Sequence, residues 1–202
     1  MHDLGRNEDR LRGTYEFPFE FHHIDSTHPR YVMSYHWHVE CEIMRILQGT
    51  LTVTLDEKSF TAKAGDVIFV NSGVLHSGIP HDCIYQCIVF DMNMFLKFNS
   101  VCTEYMQKIS HQELLIYHHF TEKHPDIQRS VNSLFDSFWQ KKPGYELVVF
   151  GQFYHFFGLV FGNHYYLESL RKTRRDYKRI VQLKQVVEFI EKNYANRSEE
   201  RR

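Results

Sequence analysis

The stretch His36-Trp37-His38-Val39-Glu40-Cys41-Glu42, followed after six residues by Gly49, decides the reading of this chain. His36 and His38 stand two apart, so on an extended backbone their side chains leave the same face. Glu42, at the start of the next strand, can return to that face, and the three side chains converge. The second half of the set lies at Gly65, Asn71, Ser72, Gly73, Val74, Leu75 and His76, where a glycine-bounded turn follows a buried strand and delivers a further imidazole. Three imidazoles and one carboxylate (His36, His38, Glu42, His76) suit one divalent ion of zinc, nickel, manganese or iron, with positions left open for water or substrate.

Outward from this stretch the first half of the chain alternates. Phe17, Phe19 and Phe21 recur with period two, as do residues 31–38, and short runs follow at 51–55, 67–70 and 84–90. Turn signals separate them at Gln48-Gly49, Asp56-Glu57-Lys58, Ala64-Gly65 and Asn71-Ser72-Gly73. Antiparallel strands closing into a barrel or sandwich are expected.

Residues 91–124 are mixed, with short helices and loops. After the helix start His124-Pro125-Asp126, Ile127, Val131, Leu134 and Phe138 step by 4, 3 and 4. Lys142-Pro143-Gly144 stops that helix. Leu147, Phe150, Tyr154, Phe157 and Phe161 then step by 3, 4, 3 and 4 along a second one. The short connection makes the two antiparallel neighbours. Their stripes either cover one barrel face or form a two-helix dimerisation surface, with Phe153, Phe156, Tyr165 and Tyr166 as further aromatic surface. On the dimer reading Phe157→Asp separates subunits; on the other it unfolds the chain. A last stripe, Leu183, Val187, Ile190 and Tyr194, follows a basic, linker-like stretch at 171–179.

At 202 residues, with 43% apolar and 24% charged residues, the chain can bury a core without staples, and wholesale disorder and fibrous repeats are excluded. The net charge of −1 hides an asymmetry: residues 171–202 carry eleven Lys or Arg against five Asp or Glu, and the rest thirteen against twenty. The charged start has no signal-peptide pattern and no segment reaches membrane-spanning length, so a cytoplasmic protein is expected. The four cysteines form no CxxC and read as reduced thiols. No dinucleotide, P-loop, serine-hydrolase or zincin motif is present.

The His/Glu stretch resembles the first cupin motif, His-x-His-x3-Glu-x6-Gly, complete here as His36, His38, Glu42 and Gly49. In the second motif Gly65, Gly73 and His76 match, while Asn71 stands for the pattern's proline and Pro80 for its asparagine. The resemblance implies a mainly β fold with added α: a double-stranded β-helix (jelly-roll) barrel over 15–92, a helical region over 93–170 and a basic linker with a helix over 171–202. With the helix pair and that last helix, the chain resembles the arabinose-regulator (AraC-type) transcription factors, as a sensor and dimerisation part ending just inside the helix-turn-helix DNA-binding domain. The resemblance implies a small effector, such as a sugar, in the barrel and a homodimer through 127–161. DNA would be contacted only by the full-length protein, no membrane is involved, and residues 1–14 would form an arm. Met44, Gln48, Tyr85 and Cys87 are the expected effector contacts. In this family the His/Glu set serves either as metal ligands or as hydrogen-bond partners without metal. The chain is then not an enzyme; the alternative is a metal-dependent cupin enzyme of dioxygenase or sugar isomerase type.

Overall fold

The computed structural model describes residues 6–7, 12–97, 101–169 and 186. The basic stretch and the last stripe expected beyond residue 170 lie outside the described residues, apart from Val186, which is helical. Strands fill the first half: β1 (Arg6–Asn7), β2 (Phe19–Ile24), β3 (Met33–Trp37), β4 (Cys41–Leu55), β5 (Lys58–Lys63), β6 (Val67–Val70) and β7 (His76–Phe90). After a 3-10 turn at Met92–Leu96 come α1 (Thr103–Ser110), β8 (Leu114–Ile116), β9 (His119–Phe120), α2 (Pro125–Gln140), α3 (Tyr145–Gly162) and β10 (Tyr166–Glu168).

The two fifteen-residue strands β4 and β7 pair antiparallel along their whole length, from Cys41↔Phe90 to Leu55↔His76. β5 and β6 add to β4, while β2 and β3 add to β7, so the sheet curls into a small barrel. The turn expected at Gln48-Gly49 is instead the middle of β4, where the register with β7 shifts. Gly49 has φ +66°, and a Cβ there would sit 2.1 Å from the Asp82 carbonyl oxygen, so only glycine fits this bulge. The shift reverses the pleat. Met44 and Ile46 are buried inside the barrel before it and Leu51, Val53 and Leu55 after it, while Leu47 and Gln48 are exposed between them.

Neighbouring residues of β4 serve two cores. Met44, Leu51, Val53 and Tyr85 fill the barrel interior, whereas Ile43, Phe69 and Phe90 face outward and join a larger cluster with α2 and α3. Both faces of this part of the sheet are thereby covered, and each buried Phe removes enough apolar surface to stabilise by about 1.5–3 kcal/mol. α2 starts at Pro125 as expected, buries Ile127, Val131, Leu134 and Phe138, and ends on left-handed Lys141 (φ 46°).

α3 buries a different face from the one expected. Its core residues are Val149, Phe153, Phe156, Phe157 and Val160, while Leu147 is 80% exposed and Tyr154 37% exposed. α3 is apolar nearly all round, so its sequence holds no polar stripe to set the phase. Phe157 is fully buried, which makes it a core residue of one chain. Both helices cover the barrel, and the side of α3 that carries Leu147, Gly151, Tyr154 and Gly158 stays open. Among the described residues, no helix is long and apolar enough to cross a membrane. Cys41, Cys83, Cys87 and Cys102 form no disulfide.

Candidate metal centre

His36 and His76 lie directly opposite one another on β3 and β7, with ring centroids 4.1 Å apart. His38 follows β3 after buried Trp37, and Glu42 enters on the second residue of β4. One ligand atom from each of His36, His38, Glu42 and His76 lies within 4.8 Å of the others. Glu42 Oε2 stands 3.4 Å from His38 Nε2 and 3.2 Å from His76 Nε2. Adjacent ligands about 2.1 Å from a metal and at right angles to each other would be about 3.0 Å apart, so the Glu42 contacts with His38 and His76 are already close to coordination spacing.

The rings are oriented by the backbone. Each Nδ1 lies on a carbonyl two residues away: His36 on Ser34 O (2.8 Å), His38 on Glu40 O (3.1 Å) and His76 on Val74 O (2.9 Å). A carbonyl can only accept, so each Nδ1 carries the proton and each Nε2 offers a lone pair to the centre, the arrangement that second-shell partners impose on metal-ligating histidines. The fully buried His76 Nε2 has no hydrogen-bond partner of acceptable geometry. Lone pairs converging on a carboxylate call for a cation or a proton between them, and this donor set fits a divalent ion.

Burial, reinforced by the charge of His76, pushes His36 down to about 4, which keeps it neutral. Burial alone would raise the Glu42 carboxyl, but the facing imidazoles of His38 and His76 outweigh it and hold Glu42 well below the usual carboxylate range, through Nε2 protons whose place a bound cation would take.

The turn after β6 braces the set. Gly73 N donates to His38 O at 2.9 Å, and the Ser72 hydroxyl donates to Val39 O. Asn71, where the cupin pattern has proline, donates from Nδ2 to Ile116 O at 2.8 Å and accepts from Ile116 N at 3.0 Å. Its side-chain amide thus pairs with β8 as a strand would. Proline offers neither group.

His36, His38 and Glu42 open onto a cavity of about 400 Å3. Tyr85 and Cys87 line it as expected, with burial first pushing the hydroxyl of the one and the thiol of the other above their ordinary ranges. Two expected contacts do not line it. Met44 is fully buried in the barrel core, and Gln48 is carried to the surface by the β4 bulge. Residues with no periodic signal in the sequence, Arg12, His28 and Arg30, supply part of the remaining wall, and His22 of β2 joins them. The described part of the expected arm lies beside the centre, with Arg6 paired to His36 in a short parallel bridge and Arg12 buried against Glu20 at 2.7 Å.

The family model of the AraC-like ligand binding domain matches residues 18–157. The chain belongs to this family. A curated relative of this AraC-like domain is the uncharacterized HTH-type transcriptional regulator YdeC of Bacillus subtilis (strain 168), 36% identical over 56 residues, which are 26% of this chain and 19% of that protein. The match thus spans about a fifth of the relative's length. Among solved structures, a point mutant of Bacillus subtilis oxalate decarboxylase is 25% identical over 30% of this chain and 18% of that one, with a TM-score of 0.27. The conserved SPY1581 protein of unknown function from Streptococcus pyogenes is 16% identical over 36% of this chain and 62% of that one, with a TM-score of 0.31.

Proposed function

We propose that this AraC-like domain is the effector-sensing and dimerisation part of a bacterial transcription regulator, and that its effector is a small metabolite bound in the 400 Å3 cavity over a divalent metal centre. The observation that carries this reading is the convergence of three backbone-anchored imidazoles and Glu42 on one point at the cavity wall. His36, His38, Glu42 and His76 would hold zinc, nickel, manganese or iron, which would supply a Lewis-acidic docking point for an oxygen ligand. Carbohydrate is the effector class that the family resemblance offers.

Two copies would pair through the helical region 127–161, using the open side of α3 around Leu147 and Tyr154 rather than buried Phe157. DNA would be contacted by a helix-turn-helix domain of the full-length protein, in the cytoplasm. The arm of residues 1–14 would lie over the effector. A ligand can alter the dimer only through unequal affinity for two arrangements, and the arm, whose residues Arg6 and Asn7 pair with His36 and Trp37, would be the element that changes.

The rival reading is a metal-dependent cupin enzyme, and the open cavity above His36, His38 and Glu42 favours it. One experiment separates the possibilities. Chelator-stripped protein is reloaded with each ion, and metal content, melting temperature and sedimentation are followed together. The regulator reading expects one ion per chain, a higher melting temperature on loading, and a dimer that Tyr154→Asp dissociates without lowering metal content. Absence of stoichiometric metal overturns the metal centre. A monomer at micromolar concentration overturns the dimer. Turnover of small organic acids or sugars by the loaded protein would establish the enzyme.

A further inference from the structure

Each imidazole of the centre gives its Nδ1 proton to a backbone carbonyl, but the surroundings of the three rings differ. His38 makes the longest of these bonds, 3.1 Å to Glu40 O, against 2.8 Å for His36 and 2.9 Å for His76. The side chain of the same Glu40 returns to the same nitrogen, with Oε2 3.7 Å from His38 Nδ1. Among the described residues, His38 is the one ligand of the set with a carboxylate beside its Nδ1. The local path explains this. Residues 38–40 connect β3 to β4, and the turn after β6 holds them there through Gly73 N on His38 O and the Ser72 hydroxyl on Val39 O.

Glu40 Oε2 is buried and has no hydrogen-bond partner among the described residues. At 3.7 Å its contact with Nδ1 is too long to be a hydrogen bond. The neighbouring Cys41 thiol is pushed up first by burial and then by the charges of Asp91 and Glu40, so two acids act on one small region. Asp91 is provided for, its Oδ1 accepting from Asn93 N at 2.8 Å and from Asn93 Nδ2 at 2.9 Å. Glu40 Oε2 is not, and a buried carboxylate oxygen without a donor is costly unless positive charge forms beside it. An ion at His38 Nε2 supplies that charge. It draws electron density through the ring, so the opposite N–H becomes a stronger donor. Carboxylates placed in this way orient a ligating imidazole and raise its basicity, and losing one typically weakens metal binding roughly 10–100-fold.

We propose, on the metal centre argued above, that Glu40 is its outer carboxylate: Oε2 takes a share of the His38 Nδ1 proton when an ion occupies the centre, which makes His38 the strongest donor of the three imidazoles. Glu40 is thus a positioning residue, acting on the ion through His38. His36 and His76, anchored on carbonyls, lack such a partner among the described residues.

The test uses the whole chain, stripped with chelator and loaded with Co2+, which shifts the protons of its ligands out of the crowded part of the NMR spectrum. Cobalt affinity is measured by competition with a chelator, and the imidazole N–H signals are identified by their loss in D2O. The unaltered chain is expected to bind one cobalt and to show three shifted N–H signals. Glu40→Gln, of the same shape but uncharged, is expected to weaken cobalt binding about tenfold or more and to move one N–H signal while the other two stay in place. Glu40→Asp, which keeps the charge on a shorter stem, recovers part of the affinity and moves the same signal. Melting of the stripped proteins shows which variants are folded, and Glu40→Asp decides alone if Glu40→Gln is not. Failure of cobalt to bind the unaltered chain overturns the metal centre, and this proposal with it. Cobalt affinity within twofold of the unaltered chain in a folded variant, or three signals moving together, overturns the role of Glu40 and leaves the centre in place.

Discussion

Arg45 Nη2 donates to Asp136 Oδ1 at 2.8 Å, joining the outer face of β4 to α2. The same guanidinium donates from Nε to Gln86 Oε1 at 2.8 Å and from Nη1 to Asn132, and its Cζ lies 5.1 Å from the Phe135 ring centroid. Arg45 follows Met44 in the barrel core, and Gln86 sits between Tyr85 and Cys87 on the cavity wall. One buried side chain thus fastens the backs of two site-bearing strands to the helix proposed to lie in the dimer interface.

The partners of Arg45 are not equal. Gln86 is 2% exposed, whereas the Asp136 side chain is 55% exposed and its ion pair is screened by water. Arg45→Met, which keeps the stem and removes the donors, should therefore cost roughly 1–3 kcal/mol by leaving Gln86 Oε1 unsatisfied. Asp136→Asn should cost less than about 1 kcal/mol. Urea unfolding of both variants checks the order; equal losses would place the energy in the ion pair.

The phase of α3 makes a second prediction. Phe153→Ala, at a fully buried ring stacked 5.1 Å from Phe19, should cost about 3–5 kcal/mol, and Phe157→Asp should prevent folding. Leu147→Ser, at an 80% exposed position, should change the stability of the isolated chain by less than about 0.5 kcal/mol. Thermal melts at a concentration low enough to hold the chain monomeric would decide it, and a large loss at Leu147 would contradict the buried face described above.

The four residues of the centre were legible because their spacing is local: one residue on a strand and one just past its end, one at the start of the next, and one behind a glycine turn. A period of two carries such a pattern as long as no bulge intervenes, and none lies between Glu42 and Met44. Beyond Ile46 a register shift reverses the inward set, which is why Gln48 faces solvent while Tyr85 and Cys87 line the cavity. The existence of α2 and α3 was legible from their apolar steps. The buried side of α3 was not, because Val148, Phe150, Phe153, Phe156 and Phe161 leave no polar stripe to exclude. The part of the cavity wall made by Arg12, His28 and Arg30 arises from the arm and from the segment between β2 and β3, which have no periodicity and meet only in the folded barrel.

Asn71 makes a third prediction, on the bracing of the centre. Its two bonds to Ile116 are both buried, so Asn71→Ala leaves the Ile116 N–H and C=O without those partners and should cost roughly 2–4 kcal/mol. The Asn71 backbone also holds the loop, its carbonyl accepting from Val74 N at 3.2 Å. Asn71→Pro keeps that carbonyl and restores the cupin pattern, yet it loses the same two side-chain bonds and should destabilise by a similar amount. Calorimetry on stripped protein measures this without interference from metal. A neutral Asn71→Pro would mean that the amide pairing contributes nothing.

The buried thiols set the response to alkali. Burial pushes Cys41 up to about 12 and Cys83 up to about 11, so the folded chain keeps both protons where unfolded thiols, ordinarily near 8.5, release theirs. Between about pH 9 and 11 the unfolded state therefore binds fewer protons than the folded state, and stability must fall as pH rises. Each such thiol contributes a slope of about 1.4 kcal/mol per pH unit. Below about pH 8 both states hold these protons and the contribution is constant. Cys41→Ala should lower stability at pH 7 through the lost packing, yet flatten the decline between pH 9 and 10.5 by about one thiol's slope. Urea unfolding across that range in both proteins measures the difference, and parallel declines would show that the Cys41 thiol ionises as readily in the fold as out of it.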